Sequence, residues 1–418
     1  MQSEANEWMQ RILEPPAIEG PILSITEFGA VGDGKHLNTD AFRKAIESCA
    51  SRGGGTVVVP EGNWYTGPIH FKSHVRLHLE RGAMVSFSTQ PNDYLPLVFT
   101  RWEGVECYNY SALIYAIDCH HVALTGEGTL NGNGSAWWGW KQTQKMAAEK
   151  LYNSEADGIA VEDRRFGIEH GLRPGFVEFV HCTNVRIEGI HILNGPQWTI
   201  HPIYCQHVLI REVHVKTEGP NTDGLNPDSC SDVVIEDCVF ETGDDCIAIN
   251  SGMNEDGWRT NRPSERILIR NCHMKEGHGG VVIGSAMSGG VRNIVVQNCH
   301  ITGGERGIRM KSIRGRGGIV ENALFENIIM ENLRNEAIVI DMFYASSTIS
   351  PRFTTPPKFI NITIRNVQCD GAEIGVALRG LPELPLENIT LENIRICSKV
   401  GMTVDRVEGL TLRDFTVL

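Results

Sequence analysis

From Val185 to the C-terminus a short unit recurs. Apolar residues stand at a starting place and then two, five and seven residues later. Its starting residues are Val185, Val208, Val233, Ile267, Ile294, Ala323, Ile362, Ile389 and Leu410, at intervals of 21 to 39 residues. One unit reads Ile294, Val296, Cys299, Ile301; another reads Ile362, Ile364, Val367, Cys369. Offsets of two put side chains on one face of a strand. The odd step from place two to place five requires a bend between two short strands. Place four holds Asn271, Asn298, Asn327, Asn366 and Asn393. Asparagine tolerates the left-handed backbone of a one-residue bend, and stacked amides can hydrogen-bond from coil to coil. Two strands and a bend repeating about every 25 residues predict the coils of a parallel β-solenoid, an all-β fold. A β-sandwich would need hairpin turns and has no reason to keep fixed offsets.

The N-terminal part follows other patterns. Thr39-Asp40 followed by Ala41, Phe42, Ala45 and Ile46 predicts a capped amphipathic helix ending near Gly53-Gly54-Gly55. Such a helix suits a lid over the apolar end of a solenoid, within an N-terminal cap region of about residues 22–70. Strand-like runs follow at Val57–Val59, Val75–Leu79 and Val122–Leu124. The polar stretch from Gly134 to Pro174 lacks the repeat, carries Trp137, Trp138 and Trp140, and reads as an insertion on the cleft side. The expectation is one elongated domain over residues 1–418.

Composition narrows the function. The 418 residues carry 38 basic and 51 acidic side chains, a formal charge of −13, with no basic tract, which argues against nucleic acid as partner. No apolar run reaches the ~20 residues of a membrane-spanning helix, so no membrane partner is expected. The first twenty residues hold Glu4, Glu7, Arg11 and Glu14 and no apolar core. The expected location is cytoplasmic, or periplasmic or secreted if a signal has been removed. Twelve cysteines are too few for a disulfide scaffold and lack zinc-type spacing. Cys238, Cys272 and Cys299 share one inward column, where cysteine acts as a small hydrophobe and a disulfide is optional.

Chemistry-bearing residues cluster just after four consecutive units: Asn221-Thr222-Asp223, Gly243-Asp244-Asp245, Gly277-His278-Gly279 and Arg309-Met310-Lys311. Coils stack about 4.8 Å apart, so residues far apart in sequence become neighbours. Three crowded carboxylates raise at least one pKa, which sets a protonated acid beside ionised bases, the condition for cleaving a glycosidic bond. Calcium binding or turn formation is the alternative reading of the aspartates. Glycines beside His278 predict an exposed ring with room for a ligand. Arg309 and Lys311, two apart on one strand face, suit an anionic sugar such as a uronate.

The four motifs in order resemble the signature of the polygalacturonases, glycoside hydrolase family 28, with Met310 where the family usually has isoleucine or leucine. Phe28-Gly29-Ala30-Val31-Gly32-Asp33-Gly34 resembles the opening of that superfamily, so the likeness runs from about residue 22 to the end. Trp102-Glu103-Gly104 through Asn109-Tyr110-Ser111, with Arg173-Pro174, resembles the bacterial exo-acting members. The resemblance implies a right-handed parallel β-helix and an inverting hydrolase of α-1,4-galacturonosyl bonds in pectic chains, releasing galacturonate from the non-reducing end. It implies that Asp244 is the general acid, that Asp223 and Asp245 activate water, and that His278 supports the acid. Arg309 and Lys311 then bind the galacturonate carboxylate, Asn221 and Tyr344 contact sugar, and no metal or cofactor is involved. A galacturonidase acting on rhamnogalacturonan, a pectate lyase and a non-catalytic glycan-binding solenoid remain as alternatives.

Overall fold

Each apolar column of the sequence becomes a ladder of stacked side chains. The computed structural model describes residues 12–13, 17–344 and 354–418. Two compact units make up the chain: Met1–Trp102, Glu106–Thr222 and Asp232–Val234 form the first, and Glu103–Val105, Asp223–Ser231 and Ile235–Leu418 the second. Both are stacks of parallel β-coils.

In the second unit the register matches the predicted columns. Ile294 pairs with Ala323, Val296 with Phe325, Cys299 with Ile328 and Ile301 with Met330. The next coil continues with Ile362, Ile364, Val367 and Cys369, and the one after with Ile389, Leu391, Ile394 and Ile396. These side chains are buried, each removing apolar surface worth roughly 1.5–3 kcal/mol for a full aliphatic residue. The place-four residues Asn271, Asn298, Asn327, Asn366 and Asn393 all have φ between 49° and 57°. Their amides form the expected ladder: Asn327 Nδ2 donates to Asn298 Oδ1, Asn366 to Asn327 and Asn393 to Asn366, each at 3.0 Å.

A second left-handed column, less visible in the sequence, lies one residue before each starting place. Asn293, Asn322, Asn361 and Asn388 occupy it in the second unit, with φ between 53° and 57°. In the first unit it holds His74, His121, Asn184 and His207. The strand-like runs of that unit also share the register: Val57 pairs with Leu77, Leu77 with Leu124 and Leu124 with Ile187.

The helix spans Thr39–Ser51 and buries Ala41, Phe42, Ala45, Ile46 and Cys49. Its N-terminus is not capped by a side chain as expected. Asn38 instead spends its amide on Val31, His36 and Tyr65, and Thr39 Oγ1 accepts from Gly67 N at 2.7 Å. All twelve cysteines are free thiols, eleven of them buried. The insertion is partly helical, with segments Ser135–Trp138, Trp140–Thr143 and Lys145–Asn153. Its tryptophans pack internally. Trp137 lies edge-on to Tyr94 and Trp140, and Trp138 Nε1 donates to Gly195 O at 2.9 Å. Among the described residues no helix is long and apolar enough to cross a membrane.

Candidate active site

A third strand in each coil of the second unit positions the site. Ile247–Ile249, Val281–Ile283, Ile308–Lys311 and Glu336–Asp341 pair in parallel, one coil after another. The residues just before these strands are brought together by backbone bonds: Gly224 N donates to Asp245 O, Cys246 N to Gly279 O and His278 N to Asp244 O. Gly277, at φ +96°, makes the last contact possible, because a Cβ there would stand 2.7 Å from Asp244 O. A Cβ on Gly279 would press to 3.1 Å from Asp245 Oδ1. The glycines flanking His278 therefore permit close approach of coils, besides leaving the ring half exposed as expected.

The three aspartates converge as the sequence predicted. One oxygen from each lies within 4.8 Å of the other two. Their partners differ. Asp245 is buried between Lys311 Nζ at 2.6 Å and Arg309 Nη1 at 3.2 Å. Asp223 accepts from Asn226 Nδ2 at 2.9 Å. Asp244, the most open of the three, shares Oδ1 between the Asp245 backbone N–H and His278 Nδ1, each at 3.0 Å. His278 Nε2 faces Glu305 Oε1 at 3.8 Å. Met310 turns into the core while Arg309 and Lys311 share the opposite face, 5.4 and 4.9 Å from the centre of the Tyr344 ring. Arg306, Glu336 and Asp341 join these three around a cavity of about 250 Å³.

Electrostatics splits the carboxylates. Burial, reinforced by the charges of Asp244 and Asp245, pushes the Asp223 carboxyl well above the usual range. Burial also pushes Asp244 upward, but the His278 hydrogen bond and the Lys311 charge outweigh it and leave Asp244 below its ordinary value. The same hydrogen bond raises His278. Burial pulls Lys311 down, yet the adjacent Asp245 more than compensates, so the ammonium stays charged. These shifts favour a proton on Asp223 over the other two aspartates, and on His278 over Asp244 within their pair, an arrangement the sequence alone did not reveal.

A raised Asp223 has a linkage consequence. A folded-state pKa above the unfolded value means that the folded chain holds this proton more tightly. The stability it contributes is complete below the unfolded carboxyl pKa and is lost as pH rises through the raised one. Asp223→Asn removes that loss. It is expected to raise Tm at neutral pH, by about 1–2 °C per kcal/mol relieved for a chain of this size, while activity falls. Calorimetry at pH 5 and pH 8 checks this: the gain is larger at pH 8, and an equal gain at both refutes the placement of the proton.

The remaining predicted residue, Asn221, stands in the first unit. Its side-chain oxygen accepts from Arg173 Nη2 at 2.9 Å, and Arg173 Nη1 holds Pro220 O at 2.7 Å. The structure therefore shows it as a residue fixed by the insertion. Sequence reasoning missed Asn226, Glu305, Arg306 and Glu336. The available signal was positional: Glu305 and Arg306 precede Ile308 by the interval that separates His278 and Gly279 from Val281.

A β-solenoid that joins a crowded carboxylate cluster to a histidine and two cations is built as an acid–base hydrolase. Comparison with known proteins makes this definite. The chain belongs to the glycosyl hydrolases family 28, whose family model matches residues 49–413. It is 30% identical over 407 residues to a probable polygalacturonase of Vitis vinifera, covering 93% of this chain and 78% of that one. It is 28% identical to the exo-poly-alpha-D-galacturonosidase of Dickeya chrysanthemi, covering 83% of this chain and 62% of that one. Among solved structures it resembles a hyperthermoactive exopolygalacturonase from Thermotoga maritima, with 37% identity and a TM-score of 0.92 over 98% of this chain and 96% of that one. The fold is accordingly a right-handed parallel β-helix, as the resemblance implied.

Proposed function

We propose that the enzyme hydrolyses α-1,4-galacturonosyl bonds of polygalacturonate from the non-reducing end, releasing galacturonate. The observation that carries the substrate is the partly exposed Arg309 beside the buried Lys311, both set against Asp245 and lining the cavity with Tyr344. Two cations around one carboxylate leave donors to spare for the carboxylate of a uronate. Exo attack is supported by the relatives named for it. It is also supported by the insertion, whose Arg173 anchors Pro220 and Asn221, three and two residues before Asp223 in sequence.

In the proposed reaction the Asp244–His278 pair supplies the proton. The His278 Nδ1 proton moves to Asp244, and as the C1–O bond breaks and charge develops on the leaving oxygen, Asp244 passes that proton on to it, which leaves His278 neutral and Asp244 ionised again. Water attacks C1 from the opposite face and yields its proton to Asp245. Asp223, whose protonated form burial favours, orients that water by hydrogen bonding. The sequence reading treated Asp223 and Asp245 as equals; their environments assign them different tasks.

The stereochemical outcome is a demanding test. Inverting pairs of carboxyl groups usually stand about 6.5–9.5 Å apart and retaining pairs about 5–5.5 Å apart. One oxygen of each aspartate here lies within 4.8 Å of the other two, so the three carboxyls form one tight cluster. Inversion then requires water to be held by two carboxyls rather than between acid and base. The expected first product is β-galacturonate from an α-linked substrate, seen by NMR within the first minutes. Retention would make one aspartate a nucleophile. Product analysis on polygalacturonate and on rhamnogalacturonan oligomers tests substrate and mode together. Galacturonate alone appears at early times, mainly from the first polymer, while viscosity falls slowly. A ladder of mid-length oligomers would show internal cleavage.

A further inference from the structure

The first unit carries a cluster that the hydrolytic reaction does not use. His74 and His121 occupy the left-handed column in consecutive coils, with φ of 61° and 54°, and His120 adjoins them. One ring nitrogen from each of the three lies within 4.8 Å of the others. His120 Nδ1 and His121 Nδ1 are 3.1 Å apart. The His74 ring is stacked on His121 at 4.9 Å and stands edge-on to His120 at 4.5 Å. His120 is exposed and the other two are half-buried, so the site is open to solvent.

The bland explanation is that histidine, like asparagine, tolerates a left-handed backbone, and that the rings merely stack. That accounts for His74 and His121, but not for His120, which lies outside the column and turns its Nδ1 toward the same point. The backbone fixes the arrangement. His74 N donates to His120 O at 3.0 Å, and His120 N to Ser73 Oγ at 3.1 Å. The spacing also suits an ion. Metal–imidazole bonds of about 2.0–2.1 Å at a tetrahedral centre place two ligand nitrogens about 3.3 Å apart. The His120–His121 pair already has nearly that separation, and a side-chain rotation of His74 closes the third. Beyond them, the Asn184 carboxamide stands 3.5 Å from His121 Nε2, the place of an outer partner that orients a ligand ring. Imidazole nitrogen suits zinc, copper and nickel, not calcium or magnesium.

We propose that His74, His120 and His121 form a binding site for a divalent transition-metal ion, completed by water. The ion would join two successive coils, since His74 and the other two are more than forty residues apart in sequence, and so would favour the folded chain.

The test is calorimetric titration of the full, tag-free chain with zinc chloride after chelator treatment. One zinc per chain is expected, with a rise in Tm that saturates with it. His121→Asn and, separately, His120→Gln should weaken binding at least ~10-fold. Asparagine already fills this column at Asn293, Asn322, Asn361 and Asn388, so His121→Asn should fold, and unchanged polygalacturonate hydrolysis without zinc would verify it. Asp245→Asn, which alters the other group of potential ligands, should leave zinc binding intact. Three results would overturn the proposal: no zinc bound by the wild-type chain at millimolar concentration, undiminished affinity in both histidine variants, or binding abolished by Asp245→Asn.

Discussion

Asp244→Asn should lower kcat at least ~10²-fold while leaving Tm nearly unchanged. General acid catalysis accounts for about 10²–10⁴ in rate, and the amide keeps the shape of the carboxylate but cannot relay a proton from His278 Nδ1. The side chain is the most open of the three aspartates, so its replacement disturbs little packing. Two electrostatic features make the outcome informative. The His278 hydrogen bond holds Asp244 ionised at rest, and Asp223 rather than Asp244 is the carboxyl that burial keeps protonated. If Asp223 were the proton donor to the leaving oxygen, Asp244→Asn would be mild and Asp223→Asn severe. Near-normal turnover in Asp244→Asn would thus move the acid to Asp223. The pH profile gives an independent check. The Asp244 hydrogen bond raises His278 above its ordinary value of ~6.5, so the pair keeps its proton to higher pH than a free imidazole and loses it as pH rises through the raised value. The alkaline limb of kcat should lie above pH ~6.5, and His278→Gln should abolish it.

The parts of this molecule legible in its sequence are those governed by local rules. Four apolar columns with fixed offsets dictate which face of each strand is buried, and at five of the nine bends an asparagine meets the left-handed backbone at low cost. The columns keep their register to the final coil, where Ile394 pairs with Phe415, Ile396 pairs with Val417 and Asp414 takes the bend. The first coils depart from those offsets: five and seven residues after Val75 stand Glu80 and Gly82, and after Val122 stand Glu127 and Thr129, so the inward strand resumes later, where Val85 pairs with Leu130. At the site, residue types in order pointed to three aspartates, a histidine and two cations. Their pairing was not legible, because it depends on which coil lies over which. Lys311 reaches Asp245 across 66 residues and His278 reaches Asp244 across 34. Nor could the sequence show what the insertion's tryptophans pack on. Trp137 packs between Tyr94 and Trp140 through contacts set only by tertiary structure.

The coupling of Lys311 to Asp245 turns a substrate-binding residue into one with two separable tasks. Lys311→Met removes a charge that lies 2.6 Å from Asp245 Oδ2 and leaves Arg309, at 3.2 Å, as the cation on that carboxylate. Breaking one partner of a buried ion pair typically costs about 3–5 kcal/mol, and here it removes the shorter of the two contacts that fix the Asp245 carboxylate. An Asp245 no longer fixed in place receives the proton of the attacking water less well, so kcat should fall for every substrate, charged or neutral. The second task concerns only uronates. A charge-assisted hydrogen bond to a desolvated carboxylate contributes about 1.5–3 kcal/mol, or roughly 10–150-fold. kcat/KM for galacturonate oligomers should therefore fall by that further factor beyond the loss seen with a neutral galactose analogue. Measuring both substrates with both enzymes isolates the difference. A further loss of about tenfold or more on the acidic substrate assigns Lys311 to its carboxylate. Equal losses on the two substrates would confine Lys311 to holding the Asp245 carboxylate in place, and recognition of the uronate would then fall to Arg309 and to Arg306, which shares the cavity with it.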